Sequence, residues 1–486
     1  MKKSIAICGL NCEKCDAFIA TKNDDQSLRE KTAKLWAELN NAPILPEHIN
    51  CDGCRTNGRK TMFCDRLCQI RQCALSKGFE TCGSCPKKDT CPKVGAIWQH
   101  NSQAKKTLKG DSHNDYMKEQ RIVFIDYIRV IACFMVMLVH ASENFYAADA
   151  SGLAGNVSLL ANEANRFWVA FYDGFIGRTC VPLFMIVSAF LLVPMKPGQT
   201  MTQFYRRRFT RILPPFFAFM LIYTFLPLAW CGMTWEQSLA DLKHLPFNFP
   251  SMGGHLWFMY PLISIYLIIP IVSPWLEKAT AKEERIFLWL FVLSTFIPWI
   301  HRFITAELWG ECFWNGFTML WYCSGYLGYL VLAHYIHYHL DWSRNRKRTV
   351  GWICFLIGAA FTGWAFWWKG VPGQLIETPL LEWSWEFCTP NVLLATFGIF
   401  LVFSCIGRET APKLVTTLSK CSFGMFLMHL LFLSPIAGWV IGGDAASPNI
   451  PVWLAIPVIA VLTFLCSAVT TWLLSKIPGS KWVVGC

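Results

Sequence analysis

The sequence predicts an all-α integral membrane bundle of ten transmembrane helices, preceded by a small cysteine-rich metal-binding domain. Three observations carry this. Of 486 residues, 54% are hydrophobic and only 16% charged, against about 25% charged in ordinary soluble domains. Long apolar segments follow one another from about residue 121, and none occurs in residues 1–110. Eleven of the 22 cysteines fall between Cys8 and Cys91.

The shift in composition divides the chain into a head at 1–99, a polar linker at 100–120 (HNSQAKKTLKGDSHNDYMKEQ) and a membrane domain at 121–486. The opening MKKSIAICGL has too short an apolar stretch, and no small-residue cleavage site, for a signal peptide. Ten later segments are long enough to span a bilayer: 122–143, 173–194, 210–230, 255–276, 285–303, 313–338, 350–368, 387–407, 414–437 and 451–475. With the N-terminus inside, the loops at 195–211, 277–285, 341–349 and 408–420 and the C-terminal tail carry 17 Lys and Arg. The outer loops carry four, Arg166, Lys243, Arg302 and Lys369. That alternation fits the positive-inside rule and puts both termini in the cytoplasm of a plasma or inner membrane.

The first span opens on Arg129 and runs to His140 through RVIACFMVMLVH. Eleven residues make three turns plus about 20°, so both side chains share one face, about 16 Å apart along the axis. Asp126 and Glu143 fall within about 60° of the same line. Ionisable groups in a membrane helix are costly and mark functional positions. At the inner mouth of the third span, FYRRRFTRILPP places Arg208 and Arg211 on one face. Arg206 and Arg207 there read as a topology anchor. Paired guanidinium groups suit a phosphate-bearing ligand arriving from the cytosol.

IDYIRVIACFMVMLVH with its Arg-x10-His spacing, RRFTR, HLWFMYPLISIYLIIP and SFGMFLMHLLFL together resemble the membrane acyltransferase type 3 family over residues 120–475. The resemblance implies transfer of an acyl group, usually acetyl from acetyl-CoA, to hydroxyls of cell-envelope sugars. It implies that His140 is the catalytic histidine, Arg129 its motif partner, and Arg208 and Arg211 the residues serving the acyl-CoA donor. At the end of the second span the chain reads Ser188-Ala189-Phe190 where many members have Ser-Gly-Phe or Ser-Gly-Tyr, which lowers the weight on Ser188.

The chemistry agrees with the resemblance. Acyl transfer to a hydroxyl needs a base for the proton and a positive or dipolar group for the developing oxyanion. Histidine titrates near neutrality and suits the first role. Without a Ser or Cys in a nucleophile-elbow context, direct transfer is more economical than an acyl-enzyme. Asp126 and Glu143 are candidates to orient Arg129 and His140, although Asp126 has the alternative of neutralising Arg129 or capping the helix. His429, level with His140, and His255 and Trp257, at the outer mouth of the fourth span, are candidates for acceptor contact. His334, His337 and His339 read as interfacial. The expected surroundings are membrane lipid and a carbohydrate or glycolipid acceptor. A transporter or flippase for a lipid-linked glycan is the alternative, and a metal or redox sensor with a membrane anchor is a third class.

In the head, Cys12-x2-Cys15, Cys51-x2-Cys54 and Cys82-x2-Cys85 have the spacing of tetrahedral metal knuckles. Cys8, Cys64, Cys68, Cys73 and Cys91 complete the candidate ligands. A cytosolic location disfavours disulfides. Zinc is the expected metal and an iron–sulfur cluster the alternative. Residues 5–95 also resemble a small cysteine-rich family of uncharacterised function. Residues 1–110 hold 19 Lys and Arg against 11 Asp and Glu, but acids are interleaved and aromatics few, so no nucleic acid is expected.

Overall fold

The computed structural model describes residues 5–85, 88–109, 122–147, 157–196, 198–229, 232–303, 320–371, 384, 386–407, 410–442 and 449–485. Among them there is no β-strand, only an isolated antiparallel bridge between Ile5 and Asn11. The chain forms two units, Met1–Ile122 and Val123–Cys486.

The first unit contains helices α1 (Asp16–Asn23), α2 (Gln26–Asn40), α3 (Gln69–Ser76), α4 (Pro92–His100) and α5 (Ser102–Lys109). The carboxylate of Asp25 caps α2 by accepting from the Leu28 N–H at 3.0 Å. Its cores are small: Ala17, Ala33, Ile49 and Cys51 in one, Val94, Trp98, Ala104 and Leu108 in another. Helix α5 differs from the expected linker. Ala104 and Leu108, one turn apart, are enough to bury one face of an otherwise polar segment.

The second unit begins with α6 (Val123–Glu143), α7 (Glu163–Leu192), α8 (Met201–Ala229) and α9 (Ser251–Leu276). It continues through α10 (Ala281–Ser294), α11 (Ile297–Phe303), α12 (Tyr326–Tyr338), α13 (Arg344–Lys369), α14 (Pro390–Ser404), α15 (Lys413–Ile441) and α16 (Val452–Leu474). Helix α6 is central, packed by α7, α14, α15 and α16. Its Cys133 and Met137 interlock with Cys421, Met425 and Ala468. Helices α13 and α14 meet through glycine: a Cβ on Gly398 would lie 2.4 Å from the Gly351 carbonyl oxygen.

Seven of these helices, not ten, are long and apolar enough to cross a membrane among the described residues: α6, α7, α8, α9, α13, α15 and α16. The other three expected spans give shorter helices. Segment 285–303 breaks between α10 and α11, where the Ser294 and Thr295 hydroxyls donate to the carbonyls of Phe291 and Val292 at 2.7 and 2.6 Å. Helix α12 starts only at Tyr326, after Gly325 at φ +66°, and positions 313–319 of that expected span lie outside the described residues. Helix α14 runs 15 residues from Pro390, about 22 Å against a hydrocarbon core of about 30 Å.

Candidate active site

His140 and Glu143 occupy the last turn of α6, one turn apart, so the carboxylate reaches back to the imidazole. His140 Nδ1 and Glu143 Oε2 are 2.5 Å apart. With Nδ1–H donated to Glu143, the lone pair at Nε2 faces outward, which is the tautomer a general base requires. Asn144 ties down the same turn, its amide donating to the His140 carbonyl at 2.7 Å.

Helix α7 supplies the next layer because it is not regular. It passes from an α-helix at Glu163–Val169 through a wide π segment at Ala170–Ile176 and a tight 3-10 turn at Gly177–Thr179, then returns to α at Cys180–Leu192. Such local rewinding is common at functional sites. Here it turns Asp173 and Arg178 toward α6. Arg178 lies 2.7 Å from Asp173 Oδ1 and 3.7 Å from Glu143 Oε1. The Tyr146 hydroxyl donates to Asp173 Oδ2 at 2.8 Å and accepts from Arg178 at 3.3 Å. A buried chain therefore runs from His140 through Glu143 and Arg178 to Asp173 and Tyr146. Gly177 makes the approach possible, since a Cβ there would sit 2.4 Å from Val139 Cγ2.

The structure brings His429 and His255 to His140. The His140 and His429 rings stack at 5.2 Å between centroids, and His255 meets His429 edge-on at 4.7 Å. His429 Nδ1 donates to the Phe426 carbonyl at 2.6 Å and His255 Nε2 to that of Leu427 at 3.1 Å. The remaining nitrogens, His429 Nε2 and His255 Nδ1, are buried without a hydrogen-bond partner. Unsatisfied buried nitrogens are uncommon and need an explanation; an incoming hydroxyl is one. A cavity of about 250 Å³ is lined by His140, Glu143, Arg178, His255, Trp257 and Phe426 among others. Trp257 stacks on Phe387 at 5.5 Å, giving the cavity a flat aromatic wall.

A second cavity, of about 120 Å³, is lined by Arg129, Arg208 and Arg211, with Lys420, Ser188 and Tyr266 beside them. The two motif arginines of α8 and the arginine of α6 thus share one space. Phe258 and Phe426 line both cavities, their rings at 5.2 Å and 68°. Asp126 is not part of the histidine site: it lies about 21 Å from His140 along α6 and accepts from the Ser419 hydroxyl at 2.6 Å. That contact ties α15 to α6.

Arg178, Asp173, Tyr146 and Lys420 were not singled out by sequence. For the first two the signal was present, since two ionisable residues lie inside an apolar segment. Lys420 reads as one more basic residue of an inner loop. His334 is buried, and its ring and that of His339 both contact the buried carboxylate of Glu284. His337 is exposed, its ring stacked on Phe190 at 4.2 Å.

In the head, Cys12 and Cys82 open 3-10 turns in which the N–H of Cys15 and Cys85 returns to the carbonyl of its pair-mate. Cys15, Cys68 and Cys91 each sit at the N-cap of a helix, α1, α3 and α4. Cys73, Cys82, Cys85 and Cys91 line one small apolar pocket. Cys8 and Cys82 pack against the same small core as Cys12 and Cys54, and burial pushes the Cys8 and Cys64 thiols up to about 11. Burial pushes Cys82 up to about 12. The donor set suits zinc, and thiols of this kind are neutral until a metal displaces their protons. Among the described residues no three cysteine sulfurs lie within 4.8 Å of one another, so the grouping fits a metal but the spacing is wider than one ion's ligand shell.

The apolar helical bundle thus presents a histidine–carboxylate pair to one cavity and clustered arginines to another. The acyltransferase domain family matches residues 122–472, and the chain belongs to that family. Residues 4–96 match a family described as a protein of unknown function, DUF3795. No curated protein and no solved structure matches the chain.

Proposed function

We propose that this membrane acyltransferase moves an acyl group, acetyl by preference, from acyl-CoA to a hydroxyl of a cell-envelope carbohydrate. The observation that carries the reading is the pair of cavities that share Phe258 and Phe426 as a wall, one basic and one histidine-lined. In this reading Arg129, Arg208, Arg211 and Lys420 hold the phosphates of the donor at the cytoplasmic side. The pantetheine arm passes the two phenylalanines, and the thioester meets the acceptor beside His140. His140 Nε2 takes the hydroxyl proton as the oxygen attacks. The new carbon–oxygen bond forms, the carbon–sulfur bond breaks, and the proton passes to the leaving thiolate. Arg178 holds Glu143 ionised, so that the carboxylate steadies the imidazolium as it forms, and His255 Nδ1 and His429 Nε2, whose rings already donate through their other nitrogen, accept from hydroxyls of the acceptor. Trp257 offers a face for a sugar ring.

The protein would lie in the plasma or inner membrane with both termini cytoplasmic, and the head would bind zinc. The test is thiol release from acetyl-CoA by the purified full-length protein, with mass spectrometry of envelope glycans from cells with and without it. Acceptor-dependent release and a lost acetyl mass support the reading. Glycan translocation without thioester cleavage would replace it with a flippase.

A further inference from the structure

Glu284 lies in the first turn of α10, where Thr280 and Glu283 form a capping box that directs the next side chain inward. It is completely buried. His334 lies in the last turn-and-a-half of α12, and His339 follows its end, where the backbone leaves the helix at φ −121°. That departure brings a residue five positions on to the same point as His334. His334 Nδ1 lies 2.8 Å and His339 Nε2 3.0 Å from Glu284 Oε1. Among the described residues this is the one group of three His, Cys, Asp or Glu whose ligand atoms all lie within 4.8 Å.

A second observation separates this trio from an ordinary hydrogen-bonded pair. Glu284 Oε2 is buried with no hydrogen-bond partner. The carboxylate is therefore served on one oxygen only, by two imidazoles crowded onto it, while a full lone-pair set on the other is left over. A buried, half-satisfied carboxylate is costly. An ion bound by both imidazoles and the carboxylate removes that cost.

We propose that Glu284, His334 and His339 form a binding site for a divalent transition-metal ion that ties α10 to α12. Two imidazoles and one carboxylate are the donors of Zn²⁺, Fe²⁺, Co²⁺ or Mn²⁺ rather than of Mg²⁺ or Ca²⁺, which take oxygen alone. Metal–ligand bonds of about 2.0–2.1 Å hold tetrahedral ligands about 3.3 Å apart, close to the spacing already present. The His339 side chain, 22% exposed, is the point of entry and leaves room for water at the remaining position. The site is independent of the cysteines and of the acyl-transfer reading.

The experiment uses full-length protein, stripped with chelator and reloaded with Co²⁺, because cobalt reports its own ligands. Thiolate-bound cobalt in the head gives intense near-ultraviolet charge transfer, whereas the proposed site gives only weak visible bands. The expected result is one equivalent of sulfur-free cobalt, on which pulsed EPR finds two imidazole nitrogens. Glu284→Gln and His339→Gln should each lose that equivalent and keep the thiolate signal. Cobalt bound through sulfur alone in the unsubstituted protein would overturn the proposal, whether or not the variants fold. So would a sulfur-free equivalent retained in a folded His339→Gln protein.

Discussion

His140 has one ring nitrogen committed to Glu143 and the other open to a cavity, and each commitment can be tested alone. His140→Ala should reduce acyl transfer by roughly 10²–10⁴-fold, the usual contribution of a positioned base, with donor binding unchanged. Steady-state thiol release and acyl-CoA binding, measured on the same preparation, check this. An unchanged turnover would remove the histidine from the chemistry. Arg211→Lys should weaken acyl-CoA binding although the charge stays, because an ammonium lacks the bidentate fork. Equal donor affinity in Arg211→Lys and Arg211→Ala proteins would leave the residue as a topology signal. The positions of His140, Arg129, Arg208 and Arg211 were legible because helical spacing alone puts them on shared faces. Arg178 was not, because its effect depends on a π segment that no periodicity announces. Asp126 was legible as a polar position, whereas its contact with the Ser419 hydroxyl was not, because the two are 293 positions apart.

At the scale of elements, α7 has to be irregular and has to touch α6. Gly177→Ala places a methyl against Val139, and overpacking of this kind costs about 1–3 kcal/mol. The expected outcome is a lower melting temperature together with a loss of turnover larger than that from an alanine placed at Gly438, where nothing lies within 4 Å of the new carbon. Equal effects at both positions would show that the close approach does not matter to the site. Hydropathy found every apolar segment, yet it overcounted the membrane-length helices. It registers the greasiness of 285–303 but not the hydroxyls of Ser294 and Thr295 that end α10. It also assigned Glu284 to a loop, because a charge beside Lys282 and Arg285 resembles a solvated one.

For the whole molecule, the two units draw their stability from different sources. The membrane unit has an extensive buried interior, whereas the head has three small cores and eleven cysteines. On the proposed zinc reading, so small a domain would depend on its metal. Elemental analysis of the full-length protein should find about two zinc ions per chain lost on Cys82→Ser plus Cys54→Ser, if two four-ligand sites form. Chelator should then expose residues 5–109 to hydrogen exchange and leave α6, α15 and α16 protected. A head equally protected without metal would refute the dependence. The knuckle spacing was readable from the cysteines alone. The fold of residues 102–109 was not, because two apolar side chains suffice to dock a segment that composition describes as a linker.

The aromatic contact between Phe258 and Phe426 has a consequence for the energised membrane around it. In the proposed orientation, an enzyme with a basic pocket toward one compartment and an imidazole pocket toward the other would hold most of a proton-conducting path. Water wires carry protons wherever polar cavities join, and a bacterium or organelle that stores energy as a proton gradient cannot tolerate that leak. Two packed phenyl rings interrupt the wire while leaving a slot that a thin, flexible chain can part. Phe426→Gly should therefore dissipate an imposed pH gradient in liposomes carrying the protein, read with an entrapped pH dye, whereas the unsubstituted protein should hold it. A tight Phe426→Gly bilayer would assign the insulation to other residues.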